Sequence, residues 1–258
     1  MSKVIILGSG TCVPSLQRSS CSLLVCSQSE RLLFDLGTGT IHQLLRAGVS
    51  IDEVDAVLLS HFHPDHAGEL AGFLFSTKYP QPVSRTRPLQ IIGGEGIGKF
   101  YSLLKDAYNG AFELPEELVR LHELEGQGSA AAPRLLKEFS LEWKAVEHRP
   151  ESRAYRITTP EGRSLVYSGD TDYSEGLVEL ASGADLLVCE SAFPDEHRQS
   201  GHLTPSLAGK IAAKAGVGQL VLTHFYPVCE RYDLEEQCRR SYQGPLVLAK
   251  DLLELALN

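Results

Sequence analysis

The sequence contains no long hydrophobic stretch. Its first apolar run, residues 4–7, is too short for the core of a signal peptide, and no other stretch approaches the length of a membrane-spanning helix. These absences predict a cytoplasmic protein with no membrane partner. Low-complexity segments, repeats of solenoid length and long linkers are also absent. We therefore expect the 258 residues to form one domain, 1–258, with a full hydrophobic core.

Cysteine spacing and net charge exclude further classes of protein. None of the six cysteines forms a C-x-x-C pair, and a chain of this length does not need a disulfide framework, so we expect reduced thiols. The formal net charge of −9 argues against a large polyanion as the main partner, because affinity for nucleic acid depends on Lys and Arg. Bound metal ions would add positive charge that this count omits.

Short apolar strands recur along the chain, and several are followed at once by His or Asp. These residues are His61, His148, Asp170 and His224. Strand ends are rigid, and the loops beyond them commonly carry functional groups. The alternation of strands and helices favours two packed sheets with helices outside. Strands are predicted over 3–7, 22–26, 31–35, 56–59, 89–92, 141–147, 153–159, 164–168, 185–188, 219–222 and, as the last strand, 246–249. Helices are predicted over 39–47, 69–78, 97–108, 175–181 and 205–215.

Three His and one Asp fall within six residues after the predicted strand 56–59. In an extended backbone, His61 and His63 point to the same side and can bind one ion. Asp65 and His66 follow a turn at Pro64 and can bind a second ion. Neutral imidazole and carboxylate together suit Zn²⁺, Mn²⁺ or Fe²⁺. The alternative, a solvated His-rich loop, is disfavoured because the cluster directly follows a buried strand.

The pattern His61-x-His63-x-Asp65-His66 resembles the signature of the metallo-β-lactamase superfamily. The resemblance implies an α/β fold, an αββα sandwich of two mixed β-sheets flanked by helices. It also implies two divalent metal ions, with zinc favoured over manganese or iron, and further ligands 82, 22 and 54 residues along the chain, in the family order. The complete predicted ligand set is His61, His63, Asp65, His66, His148, Asp170 and His224. In this interpretation Asp170 bridges both metals.

The resemblance also implies a mechanism. Water bridging two divalent ions loses a proton near neutral pH and becomes a nucleophile. Asp65 is then a catalytic residue as well as a ligand, because it can orient or deprotonate the attacking water.

A second motif, Gly201-His202-Leu203-Thr204-Pro205, resembles the extra His motif of the phosphodiesterase branch of this superfamily. In that branch the His donates to the phosphate or protonates the leaving group, so we predict a catalytic role for His202. The alternative is that Thr204 caps a helix and His202 is a nearby surface residue. The opening residues 7–14 and the segment 34–40 likewise resemble ribonuclease Z and the small phosphodiesterases related to it.

Substrate choice within this branch follows from what the chain lacks. Bacterial ribonuclease Z inserts a tRNA-gripping arm between the residues that match His148 and Asp170, and here only 22 residues separate them. Together with the acidic charge, this favours a small or cyclic phosphodiester over nucleic acid. The alternatives are a ribonuclease Z-like RNA 3′-end nuclease, a hydrolase of another ester such as a lactone or aryl sulfate, and a non-catalytic metal-fold binding protein. A homodimer is expected by analogy with the family.

Residues 93–99, Gly-Gly-Glu-Gly-Ile-Gly-Lys, nearly spell a phosphate-binding P-loop. Phe100 replaces the Ser or Thr that would bind Mg²⁺, and Glu95 would repel phosphate. We therefore expect a glycine-rich turn near the rim of the active site, with no nucleotide-binding role.

Overall fold

The fold is described by a computed structural model that covers residues 2–79, 85–132 and 134–257. The sequence segment that contains Pro80, Pro82 and Pro88 also predicts a loop, and residues 80–84 of it lie outside the described residues. Within those ranges, no helix is long and apolar enough to cross a membrane.

The strands form two sheets of seven strands each. Numbered along the chain, the strands of sheet 1 are β1 (Ser2–Gly8), β2 (Ser22–Cys26), β3 (Arg31–Phe34), β4 (Ala56–Leu58), β5 (Leu89–Gly94), β6 (Val119–Leu124) and β14 (Leu253–Leu257). Their spatial order is β14-β1-β2-β3-β4-β5-β6. Strands β14, β1, β2 and β3 pair antiparallel, whereas β3 to β6 pair in parallel. Sheet 1 is therefore mixed.

Sheet 2 repeats this arrangement with its own strands. They are β7 (Gly128–Ala130), β8 (Ser140–Ala145), β9 (Arg153–Thr158), β10 (Ser164–Tyr167), β11 (Leu186–Glu190), β12 (Gln219–Thr223) and β13 (Leu246–Leu248). The spatial order is β13-β12-β11-β10-β9-β8-β7. Strands β7 to β10 pair antiparallel and β10 to β13 pair in parallel, so this sheet is also mixed.

Helices cover the outer faces of both sheets. They are α1 (Thr40–Arg46), α2 (Pro64–Ala67), α3 (Leu70–Ser76), α4 (Ile97–Ala107), α5 (Glu175–Leu180), α6 (Pro205–Ala215) and α7 (Leu234–Arg239). Short 3₁₀ turns lie at Ile51–Glu53, Glu116–Leu118, Asp195–His197 and Pro227–Arg231. The layers are thus α, β, β and α, as predicted.

Alternation along the strands of sheet 1 produces this layering. Val4 and Ile6 point into the core between the two sheets, whereas Ile5 and Leu7 point to the core beneath the helices. Successive side chains of a strand face opposite sides. Both faces of β1 are therefore apolar, because both are covered.

The structure corrects several predicted elements. Residues 246–249 are not the last strand, because β14 follows and pairs with β1. The predicted strand 141–147 ends at Ala145, and the strand predicted over 185–188 continues to Glu190. Strands β6 and β7 and helix α7 were not predicted. The predicted helices agree with the observed ones to within two residues at each end.

Candidate metal centre

The predicted ligands converge where strands of both sheets end. His61 follows β4, His148 follows β8, Asp170 follows β10 and His224 follows β12. The turn predicted at Pro64 is the first turn of α2, whose fixed proline φ suits a helix start. That helix carries Asp65 and His66, which are both buried.

One group of donor atoms comes from His61, His63, His148 and Asp170. His63 Nδ1 lies 2.9 Å from His61 Nε2 and 3.3 Å from His148 Nε2. Asp170 Oδ2 lies 3.8 Å from His61 Nε2 and 3.9 Å from His148 Nε2. Four donors within 4.8 Å of one another can hold one metal ion.

A second group consists of Asp65, His66 and His224. His66 Nε2 and His224 Nε2 lie 3.3 Å apart, and Asp65 Oδ2 is 3.8 and 3.7 Å from them. The other oxygen of Asp170, Oδ1, lies 3.3 Å from His66 Nε2 and 3.4 Å from His224 Nε2. Asp170 therefore directs one oxygen to each group, which is the position predicted for a bridging ligand.

The chemistry of these donors fits divalent metal ions. Asp170 Oδ1 is buried and has no hydrogen-bond partner among the described residues. In two imidazoles the outer nitrogen, which points away from the cluster, is a hydrogen-bond donor. His148 Nδ1 donates to Gly201 O at 2.8 Å, and His66 Nδ1 donates to Asp35 Oδ2 at 2.7 Å. Their inner nitrogens therefore present lone pairs to the cluster. Burial also lowers the pKa of His61 and His148, which keeps these two imidazoles neutral and able to bind metal. For His66, burial also disfavours the charged ring, but the carboxylates of Asp170 and Asp35 prevail and raise its pKa, so a metal ion bound there displaces a proton.

The carboxylates of the cluster are held in their ionised form. Burial opposes ionisation of Asp170, but the neighbouring His224 and His66 lower its pKa well below the usual range. For Asp65, burial also raises the pKa, and the contacts with His224 and His66 outweigh it. Both groups are therefore ready to bind cations.

Asp35 supports the second group and was not predicted from the sequence. Its buried carboxylate accepts hydrogen bonds from Ser60 N (2.7 Å), Ser60 Oγ (2.8 Å), Tyr167 Oη (2.7 Å) and His66 Nδ1. The residue has a φ of 59°, uncommon for a non-glycine residue. Its signal in the sequence was its position at the end of an apolar strand, the same kind of position that identified His61.

His202 lies beside the second group. Its Nδ1 is 3.1 Å from Glu190 Oε1 and 3.9 Å from Asp170 Oδ2, and its ring stacks 5.7 Å from that of His224. Burial disfavours the imidazolium, but the bond to Glu190 and the nearby carboxylate charges prevail and raise the pKa of His202 to about 9. Thr204 stands at the N-cap of α6, as in the alternative interpretation, but makes no side-chain capping bond, and His202 is partly buried beside the cluster.

Glu190 was also missed by the sequence analysis. It is 1% exposed, ends β11 and accepts backbone hydrogen bonds from Thr171 N (2.7 Å), Leu203 N (3.1 Å) and Ala192 N (3.2 Å) besides that from His202. A buried carboxylate with four donors is fixed in place. Glu190 therefore positions the His202 ring, in the way that Asp35 positions His66.

The glycine-rich segment that resembles a P-loop packs against the turn that follows His148. A Cβ atom on Gly94 would lie 2.0 Å from Glu151 O, so only glycine allows this approach. The adjacent Glu95 pairs with Arg153 at 3.3 Å, and Arg153 also bonds the turn through Pro150 O at 3.0 Å. The segment thus supports the turn that follows His148, and no phosphate-binding role is needed to explain its glycines.

Two mixed sheets, outer helices and a His/Asp cluster at the strand ends define the class of metal-dependent hydrolases with the αββα fold. The chain belongs to the metallo-β-lactamase superfamily, since the model of the β-lactamase superfamily domain matches residues 30–225. Divalent metal ions are characteristic of this fold, and the chain is a metal-dependent hydrolase similar to ribonuclease Z.

Three similar proteins illustrate the relationship. Ribonuclease Z of Streptomyces avermitilis is 30% identical over an alignment of 309 residues that covers 98% of this chain and 97% of that protein. The metallo-β-lactamase fold protein YhfI of Bacillus subtilis has a TM-score of 0.83 at 24% identity and covers 99% of this chain and 100% of its own. A diphosphatase from the PhnP family has a TM-score of 0.75 at 21% identity, with 100% and 98% covered.

Proposed function

We propose that the protein hydrolyses a small phosphodiester, linear or cyclic, with His202 as the proton donor. The observation that carries the proposal is the His202–Glu190 pair, which adjoins Asp170 and His224 at the centre of the donor cluster. We assign the seven predicted residues as ligands of two divalent ions, with zinc favoured. When bound, such ions activate water and stabilise negative charge on the phosphate.

The protein's own groups divide the remaining work. Because Nδ1 of His202 is engaged by Glu190, Nε2 is the ring atom that can face the substrate. That nitrogen donates a proton to the leaving oxygen as the phosphorus–oxygen bond breaks and the water oxygen bonds to phosphorus. Asp65, which is 8% exposed, accepts a proton from the attacking water. Glu190 and Asp35 act as positioning residues, since each holds the outer nitrogen of an active-site imidazole.

Two observations favour a small substrate over RNA. Between His148 and Asp170 the structure contains only a turn and the hairpin of β9 and β10. The alignment with the Streptomyces ribonuclease Z is 51 residues longer than this chain. The Streptomyces protein therefore has many residues with no counterpart here. A homodimer and a cytoplasmic location remain expectations from the sequence.

The test is hydrolysis of bis(p-nitrophenyl) phosphate by zinc- or manganese-loaded protein. Asp170→Asn should abolish turnover and reduce the bound metal measured by atomic emission. Asp185→Asn is the matched control, because Asp185 is a carboxylate at the opposite end of β11 that pairs with Arg163. If the wild type binds metal but cleaves no diester, the substrate class is wrong, and lactones and aryl sulfates are tested next.

A further inference from the structure

Two aromatic side chains form a stacked pair beside His202. Phe193 lies three residues after Glu190, and Tyr226 lies two residues after His224. Their ring centroids are 4.4 Å apart with an interplanar angle of 18°. A backbone hydrogen bond of 3.2 Å from Tyr226 N to Ala192 O joins the two segments. The pair is therefore fixed before any substrate arrives.

The pair flanks the proposed proton donor. The centroid of Phe193 is 5.8 Å from that of His202, and the centroid of Tyr226 is 6.4 Å from His202 and 6.1 Å from His224. Both aromatic rings stand nearly upright to the imidazoles, at angles of 70° to 85°. A group leaving from phosphorus with a proton from His202 would lie next to this pair.

Both rings remain partly exposed, in contrast to the aromatic residues of the core. Phe34, Tyr155 and Tyr167 are at most 1% exposed. The Tyr226 hydroxyl has one hydrogen-bond partner among the described residues, the thiol of exposed Cys12 at 3.4 Å, and thiols are weak partners. An aromatic surface left open beside polar catalytic groups is suited to a planar ligand.

On the basis of the proposed function, we infer that Phe193 and Tyr226 form the subsite for the leaving group, and that this group is planar, an aryl or nucleoside alcohol. Stacking of a base on an aromatic side chain contributes roughly 1–3 kcal/mol. This corresponds to a preference of about 5- to 150-fold over a leaving group that cannot stack. The preference should appear in KM, because the stack forms when the substrate binds.

The test compares methyl phenyl phosphate with the methyl ester of a branched fluoroalkyl alcohol of matched acidity. Both give methyl phosphate, which ³¹P NMR measures. The wild-type holoenzyme should prefer the phenyl ester by at least about 5-fold in kcat/KM. Phe193→Leu and Tyr226→Leu keep apolar volume but remove the stacking face, so each should reduce the ratio towards one. Tyr226→Phe should retain the preference.

Phe75→Leu is the matched control, since Phe75 is an aromatic residue, 45% exposed, on α3. It should leave the ratio at the wild-type value, and bound metal and melting temperature report whether each variant is folded. Cleavage of both esters with no preference, or a preference that survives in both leucine variants, overturns the subsite but leaves the phosphodiesterase proposal intact. If the metal-loaded wild type cleaves neither of the two esters, the proposed function is refuted, and the subsite with it.

Discussion

Replacing His202 by alanine removes the imidazole that lies 3.1 Å from Glu190 and 3.9 Å from Asp170. If this ring protonates the leaving oxygen, its loss must matter most when the departing alcohol is weakly acidic. p-Nitrophenolate is stable as an anion and needs no proton, whereas a p-methoxyphenolate benefits from one. General acid catalysis typically contributes about 10²–10⁴-fold. We therefore expect His202→Ala to lose at least about 10²-fold on methyl p-methoxyphenyl phosphate, but less than about tenfold on the p-nitrophenyl ester.

The assay is a series of methyl aryl phosphates in which only the acidity of the phenol changes. The wild type should show a shallow dependence of kcat/KM on that acidity, and His202→Ala a steep one. Glu190→Gln should steepen the dependence less, because the imidazole is present but poorly positioned. His122→Ala, which removes an imidazole on β6, should leave the slope unchanged. The reasoning is refuted if His202→Ala lowers every ester by the same factor, since that would indicate substrate binding instead of proton transfer.

Three further predictions concern other parts of the structure. Asp35→Asn should weaken metal binding by about 10- to 100-fold in calorimetric titration, because the amide cannot hold His66 as the carboxylate does; unchanged affinity would contradict that supporting role. Gly94→Ala should lower the free energy of unfolding in urea by about 1–3 kcal/mol, because the added methyl meets a backbone carbonyl. Gly72→Ala, in helix α3 with open space around it, should raise that free energy by up to about 1 kcal/mol. Equal effects of the two substitutions would refute the packing argument. Native protein should show Cys12 as its fastest thiol with Ellman's reagent, lost in Cys12→Ser, the half-buried Cys26 as a slower one, and six thiols after denaturation. More than two reactive thiols in the native protein would contradict the burial of the other four.

The sequence was most informative where chemistry and local pattern coincide. The His and Asp residues follow apolar strands, so their positions at strand ends could be predicted before the structure was known. The strands that were missed are defined by distant partners. Val119–Leu124 reads Val-Arg-Leu-His-Glu-Leu and has only one buried residue, and it becomes a strand by pairing with β5 at the edge of sheet 1. Leu253–Leu257 likewise depends on β1, from which it is separated by almost the whole chain.

The supporting carboxylates were missed for a related reason. Glu190 has no motif of its own, and Asp35 lies in the segment 34–40, whose resemblance assigned it no role. An acidic residue is also expected at the surface unless it is paired. Their burial depends on backbone amides and imidazoles contributed by other segments of the chain. Such groupings exist only in three dimensions. An acidic residue that ends a run of apolar residues is the one local signal that could have identified both.

The pairing of β1 with β14 has a consequence for synthesis on the ribosome. One edge of β1 stays without its partner until residues 253–257 have been made, long after the strand itself. During that interval an apolar strand with unpaired amides is exposed to other nascent chains. Chaperone demand should therefore persist until β14 has emerged and fall once it pairs with β1.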